Sequence, residues 1–271
     1  MLSIIVSWRD RVELEQALPS LLDTVDAFDG DLTVVNFGGA SEELQRQLGA
    51  EADRISVIAV PAQPYFNKAR AQNVGAHFAQ SEVLFFCDCD IVLSPEEVRD
   101  AVERVVHIDG RFATLAGVRE TEVNSRRARN VVRFGYELTI KVASGAELHI
   151  VDSEEDADNG ARQAPGLLFV RRTDFLAVRG YNSRLHGWGW EDQDMIARLT
   201  LGRRLSREMY GYALHISHDD HARISNYPPV TSRWESRDRM FRQALDNYDR
   251  GDFMGTYDID IAELLPSISG V

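Results

Sequence analysis

Apolar positions along the chain gather into short runs rich in β-branched side chains, separated by amphipathic stretches. Leu2–Trp8 is the first run, and after a polar turn Leu14, Leu18, Leu21, Leu22 and Val25 recur at the spacing of one helix face. That reads as strand, then helix. The pattern repeats: residues 32–37 predict a strand closed by Gly38-Gly39, and Ser41-Glu42-Glu43 opens a helix carrying Leu44 and Leu48. Residues 55–60 predict a third strand, ended by the segment 61–64. Residues 67–79 then predict a helix, and residues 83–87 a fourth strand that runs straight into Asp88-Cys89-Asp90.

Strands alternating with helices predict an α/β chain with a mostly parallel, doubly wound sheet flanked by helices. Such sheets bind ligands beyond the carboxyl ends of their strands, where strand order reverses. Asp88-Cys89-Asp90 and Ser7-Trp8-Arg9-Asp10-Arg11 both fall at such ends. No GxGxxG follows the first strand and no GxxxxGK[ST] occurs, which disfavours a dinucleotide fold or a P-loop.

The middle, residues 119–165, changes character. Arg126-Arg127-Ala128-Arg129 is basic, whereas residues 152–158 are densely acidic beside Asn159-Gly160, and the acidic run reads as a solvated loop. Residues 167–170 return to strand and 195–201 to helix. Residues 233–248 place Trp234, Met240, Phe241 and Leu245 among charges, as a surface helix does. No internal repeat or low-complexity linker interrupts the chain.

Composition narrows the class. With 271 residues, 44% hydrophobic and 27% charged, the chain is globular, as one large domain or two small ones. The longest apolar runs, such as Val83-Leu84-Phe85-Phe86-Cys87, fall far short of the roughly 20 residues of a membrane-spanning helix. A formal charge of −13 argues against nucleic acid or anionic lipid as a bulk partner, while leaving local basic clusters possible. Met1 leads at once into an apolar strand without a basic leader or cleavage site, so a cytoplasmic chain is expected. Cys87 and Cys89 share one face of a strand, too few for a disulfide framework or a thiolate metal site.

Three segments carry candidate chemistry. Asp88-Cys89-Asp90 puts two carboxylates at the mouth of the sheet, hard ligands suited to Mg²⁺ or Mn²⁺; a turn stabilised by Asp is the alternative. His186-Gly187-Trp188-Gly189-Trp190-Glu191-Asp192-Gln193-Asp194 offers an aromatic face for a sugar and a carboxylate for general base work. Core packing of the tryptophans, and a helix N-terminal role for Asp192 or Asp194, are the other readings. His215-Ile216-Ser217-His218-Asp219-Asp220-His221 holds three histidines; if a strand runs through 214–217, only a subset of them can reach one metal.

Together these segments resemble GT-A glycosyltransferases of the inverting family-2 type, in particular the β-1,4-galactosyltransferase group and the related chondroitin-polymerase domains. The resemblance covers most of residues 2–222. It rests on Ser7 to Arg11, Phe66-Asn67-Lys68-Ala69-Arg70-Ala71-Gln72-Asn73-Val74-Gly75, Asp88-Cys89-Asp90 and the Gly187 to Asp194 stretch. It implies one GT-A domain over 1–271: a nucleotide-sugar half (1–95), an acceptor and catalytic half (96–222) and a C-terminal helical extension (223–271).

Residue by residue, it implies that Arg9 and Arg11 contact the diphosphate or nucleoside of a UDP-sugar. Phe66 would pack on the uracil, Lys68 approach the phosphates, and Asp88 hold the ribose. Asp90 would ligate Mn²⁺ (or Mg²⁺), with His218 as second ligand and His215 in reserve. Asp192 would be the general base, Glu191 would bind a sugar, and Trp188 and Gly189 would belong to a closing loop. Trp190 stands where the family has glycine, which would bulk up the sugar pocket. The implied reaction is inverting transfer of a hexose or N-acetylhexosamine to a glycan, lipid-linked or small-molecule hydroxyl. Other readings are a retaining N-acetylgalactosaminyltransferase, whose first metal motif would be Asp-X-His, a nucleotide-sugar or lectin-like module without turnover, and a sugar nucleotidyltransferase.

Overall fold

The computed structural model of the chain describes residues 1–122, 135–153 and 160–268. The basic run at 126–129 and the acidic run beyond 153 lie outside them. The first part alternates as the hydrophobic pattern dictates: β1 (Leu2–Trp8), α1 (Leu14–Ala27), β2 (Asp31–Phe37), α2 (Ser41–Leu48), β3 (Ser56–Val60), α3 (Lys68–Phe78) and β4 (Val83–Asp88). β1 pairs in parallel with β2 and β4, and β2 with β3. All seven residues of β1 are buried because helices cover both sheet faces. Leu2, Ile4, Val6 and Trp8 pack into the core shared with α1, and Ile5 into the one containing Ala69 and Ala76 of α3.

Then follow β5 (Ile91–Val92), α4 (Pro95–His107), β6 (Arg111–Glu120), the hairpin β7 (Gly135–Lys141) and β8 (Glu147–Ser153), β9 (Ala161–Arg162), β10 (Leu168–Arg171), α5 (Arg172–Ala177), α6 (Glu191–Ala197), β11 (Ser206–His215), α7 (Asp220–Ile224), α8 (Arg233–Asp249) and α9 (Tyr257–Leu264). The main sheet has the order β3-β2-β1-β4-β10-β6-β11-β5, with β9 beside β6. Parallel pairing holds from β3 to β4 and between β6 and β11, whereas β10 runs antiparallel to both β4 and β6. No helix lies between β9 and β10 to return the chain for a parallel crossover, so β10 enters from the end at which β4 leaves.

Two later elements differ from expectation. α6 begins at Glu191, four residues before the apolar period does, because its first turn is acidic and polar yet turns inward: Glu191, Gln193 and Asp194 are all buried. α8 is more than a surface helix, since Met240, Ala244 and Tyr248, four residues apart, dock it on the core around Trp190. Among the described residues, no helix is long and apolar enough to cross a membrane.

Candidate active site

The carboxyl ends of β1 and β4 open into a cleft whose floor centres on Lys68. Asn67 caps α3 by accepting the Arg70 N–H on its side chain, which places Lys68 at the first position of the helix and turns it inward. Its Nζ lies 2.7 Å from Asp88 Oδ1, 3.0 Å from Asp192 Oδ2 and 4.0 Å from Glu191 Oε1. Burial alone would lower the Lys68 ammonium, but Asp192, Asp88 and Glu191 outweigh it and hold it well above its ordinary value.

Burial pushes the Asp192 carboxyl up. Lys68 draws it back and Asp88 raises it again, leaving it above the usual aspartate range. Its Oδ2 is fixed by Lys68, while Oδ1 is buried without a partner on the cleft wall. One anchored and one open oxygen is the geometry of a proton acceptor. Gly166 stands directly behind: a Cβ there would lie 2.5 Å from Asp192 Oδ2 and 3.2 Å from Lys68 Nζ. Only a residue without a side chain lets the 163–167 segment pass this close.

Glu191 is occupied differently. Its Oε2 accepts the backbone N–H groups of Gly189 and Trp190, each at 3.0 Å, so it shapes the turn that enters α6. Burial first, then Asp192, push its carboxyl up to about 7 against the pull of Lys68 and of the backbone N–H groups of Glu191 and Gly189. The turn uses its glycines for defined purposes: Gly189 adopts φ +111°, and a Cβ on Gly187 would meet Ser236 Oγ at 2.5 Å. The Trp188 N–H donates to the same Ser236 Oγ at 2.8 Å, seating the loop on α8.

The two tryptophans therefore part. Trp188 lines the cleft, with the Arg233 guanidinium 5.6 Å from its ring centre. Trp190 is 1% exposed and meets the Phe241 ring edge-on at 4.7 Å. It is a core residue and does not bulk up a sugar pocket; the expectation that it binds substrate is corrected.

Across the cleft, Asp90, His215 and His218 bring one ligand atom each within 4.8 Å of one another. Asp90 Oδ2 lies 3.1 Å from His218 Nε2, 3.5 Å from His215 Nε2 and 3.2 Å from Arg11 Nη2. As expected, only a subset of the three histidines converges: His215 and His218 join Asp90 and His221 does not, because β11 ends at His215. The chain then turns, held by the Ile216 N–H donating to the Asp90 carbonyl at 2.8 Å, and swings His218 back to the same side. Burial would raise Asp90, yet the bonds from His215 and His218 and the charge of Arg11 keep it well below its ordinary range. Its Oδ1 is buried with no partner. A carboxylate with an orphaned oxygen beside two imidazole nitrogens fits a divalent ion of the Mn²⁺ type.

The remaining expected residues also reach the cleft, with different freedom. Arg9 donates through Nη2 to the Gln63 carbonyl at 3.0 Å, leaving Nε and Nη1 buried without partners. Arg11 is held by Glu13 through two bonds of 2.9 and 3.0 Å as well as by Asp90, so its guanidinium braces the wall. Phe66 sits edge-on to Phe37 and Tyr227 at 6.1 and 5.4 Å.

Pattern reading missed one wall. Arg223, Asn226, Tyr227, Arg233, Trp234 and Arg237 line the cleft from α7, α8 and the turn between them, and Arg162 and Gly166 line it from β9 and the segment after it. The turn after α7 is stitched to the segments after β1 and before α3: Asn226 donates to the Arg9 carbonyl at 3.2 Å, and its own carbonyl accepts the Phe66 N–H at 2.7 Å. The available signal was Trp234 between Arg233 and Arg237, whose guanidinia lie 4.5 and 4.4 Å from its ring centre. Among the described residues, seven cationic side chains and four carboxylates line the cleft, so the cleft is basic in a chain of net charge −13.

The strand order and flanking helices define an α/β domain with a cleft at the carboxyl ends of its parallel strands. Residues 20–228 match the model of the family described as "Glycosyltransferase like family 2", and the chain belongs to that family, with the GT-A glycosyltransferase fold. None of the curated proteins matches. Among solved structures, GalNAc-T7 with UDP, GalNAc and Mn²⁺ aligns at a TM-score of 0.59 and 12% identity, over 89% of this chain and 47% of that one. This chain thus spans about half the length of that structure. A mutant β-1,4-galactosyltransferase 7 of Drosophila, in complex with manganese, UDP-Gal and xylobiose, aligns at 0.49 and 15% identity over 87% and 79% of the two chains. S. aureus TarS aligns at 0.47 and 16% identity over 79% and 60%. At such identities the likeness is one of fold.

Proposed function

We propose that this protein is an inverting glycosyltransferase that moves a hexose or N-acetylhexosamine from a UDP-sugar to a hydroxyl of a glycan, lipid-linked or small-molecule acceptor. One observation carries the reading: Asp192, with a raised carboxyl and one open oxygen, shares a cleft with the Asp90, His215 and His218 group. A base and a divalent-cation site in one basic cleft are what transfer from a dianionic donor requires. The ligands of GalNAc-T7 belong to the same chemical class.

Residues 1–95 form the donor half in this reading. Arg9 directs its two open N–H positions to the donor, Phe66 supplies an apolar edge for the base, and Asp88 faces the ribose. Asp90, His215 and His218 hold Mn²⁺ (or Mg²⁺), which offsets the charge of the departing diphosphate. Residues 96–222 contribute the catalytic side. Lys68 holds Asp192 by Oδ2, so that Oδ1 takes the acceptor proton as the hydroxyl attacks the anomeric carbon opposite the leaving UDP. Trp188 and Gly189 border the sugar, and Glu191 keeps their turn in shape. Arg223, Arg233, Trp234 and Arg237, from the C-terminal extension, close the third wall. The buried free thiols Cys87 and Cys89 fit a reducing compartment, and the cytoplasm is the proposed location.

Calorimetric titration of UDP, with GDP as control and with and without Mn²⁺, tests the proposal. Mn²⁺-dependent preference for UDP is expected. Absence of any nucleotide binding overturns the transferase reading.

A further inference from the structure

We infer that Glu120, behind the cleft wall at the last position of β6, is the positioning residue that makes His215 a full third metal ligand beside Asp90 and His218. The inference rests on the metal reading above. It starts from register: Glu120 and His215 are paired neighbours on the parallel strands β6 and β11, so the backbone itself sets their separation. Glu120 is 7% exposed, and each of its oxygens is committed. Oε2 accepts from His215 Nδ1 at 2.7 Å and from Ser217 Oγ at 2.9 Å; Oε1 accepts from Arg162 Nε at 2.8 Å.

The consequence lies on the other edge of the ring. An imidazole whose Nδ1–H is bound to a carboxylate keeps one tautomer and one orientation, and presents a more basic Nε2. His215 Nε2 accordingly faces Asp90 Oδ2. Among the described residues, His218 has a carbonyl behind it, that of Asp219 at 3.1 Å from Nδ1, and no carboxylate. Because the histidine with the stronger brace is the one on a strand, Glu120 converts a two-ligand site into a three-ligand one. Two imidazoles and one carboxylate favour Mn²⁺ over Mg²⁺, since imidazole is a poor ligand for the harder ion. The same carboxylate holds Arg162, which ties the metal group to the 162–167 segment that passes behind Asp192.

The test measures Mn²⁺ affinity of the full chain, with and without UDP, from the electron paramagnetic resonance of free aqueous Mn²⁺. Glu120→Ala and His215→Ala are each expected to weaken Mn²⁺ binding about 10- to 100-fold. The double variant should be no weaker than His215→Ala alone, because Glu120 acts through that ring. Should Glu120→Ala not fold by thermal melt, Glu120→Gln, which keeps an oxygen for Nδ1–H, is expected to lose less and to show the same dependence on His215. A folded Glu120 variant with wild-type Mn²⁺ affinity, or additive losses in the double variant, overturns the inference while leaving the metal reading intact. Failure of the wild-type chain to bind Mn²⁺ overturns both.

Discussion

Gly166→Ala is a single added methyl group, and its effect can be worked out from the cleft. The new Cβ would stand 2.5 Å from Asp192 Oδ2 and 3.0 Å from Asp192 Cγ, where ordinary contact begins at 3.4 Å. Asp192 must therefore retreat by about 1 Å, and the backbone of the 163–167 segment cannot yield instead without disturbing the Leu115 N–H bond to the Leu167 carbonyl at 3.0 Å. A displacement of this size in a reacting group costs roughly 10²-fold in rate. Gly166 is not in the left-handed region, so alanine adds no backbone strain, and the stability cost is the crowding alone, about 1 to 3 kcal/mol. The assay is UDP release from a UDP-sugar panel, with calorimetric UDP binding in Mn²⁺ and a thermal melt as controls. Turnover about 100-fold down, in a variant that still folds and keeps UDP affinity near wild type, is the expected result. A folded variant within threefold of wild-type turnover would refute the argument that this close approach sets the position of the base.

Asp192→Asn should lower turnover by about 10² to 10⁴-fold while UDP affinity stays nearly intact; equal loss of both would make the residue structural. Trp190→Ala should cost about 3 to 5 kcal/mol in denaturant unfolding, because it empties a buried site against Phe241, whereas Trp188→Ala should reduce turnover with little loss of stability. The Glu191 carboxyl, pushed to about 7 by burial and Asp192 from its ordinary 4.5, carries a stability contribution that is present below about pH 4.5 and lost as pH rises to about 7. Thermal melts at pH 5 and pH 8 should thus show the wild-type chain losing stability relative to Glu191→Gln as pH rises. A gap independent of pH would count against the raised value.

The strands and helices up to β4 are legible in the chain because burial on both faces of a parallel sheet forces continuous apolar runs, and each flanking helix must show an apolar stripe. The same local logic sets Asp88 and Asp90 at a strand end and the carboxylates of residues 191–194 near a helix start. The α6 boundary escaped because its first turn is polar and buried, a combination that hydrophobic period cannot register.

What the tertiary structure decided is every question of facing. Trp188 and Trp190 are equivalent in the chain; the positive φ of Gly189 and the docking of α8 send one to the cleft and the other to the core. His215 and His218 converge because β11 ends at His215, two residues before a strand through 214–217 would, and Glu120 reaches His215 only through the pairing of β6 with β11. The arginines of α8 read as part of a surface helix until packing folds them over the cleft. Residue type and spacing act over a few positions, so they determined the elements and the chemistry available, whereas convergence of groups distant in the chain is set by three-dimensional packing.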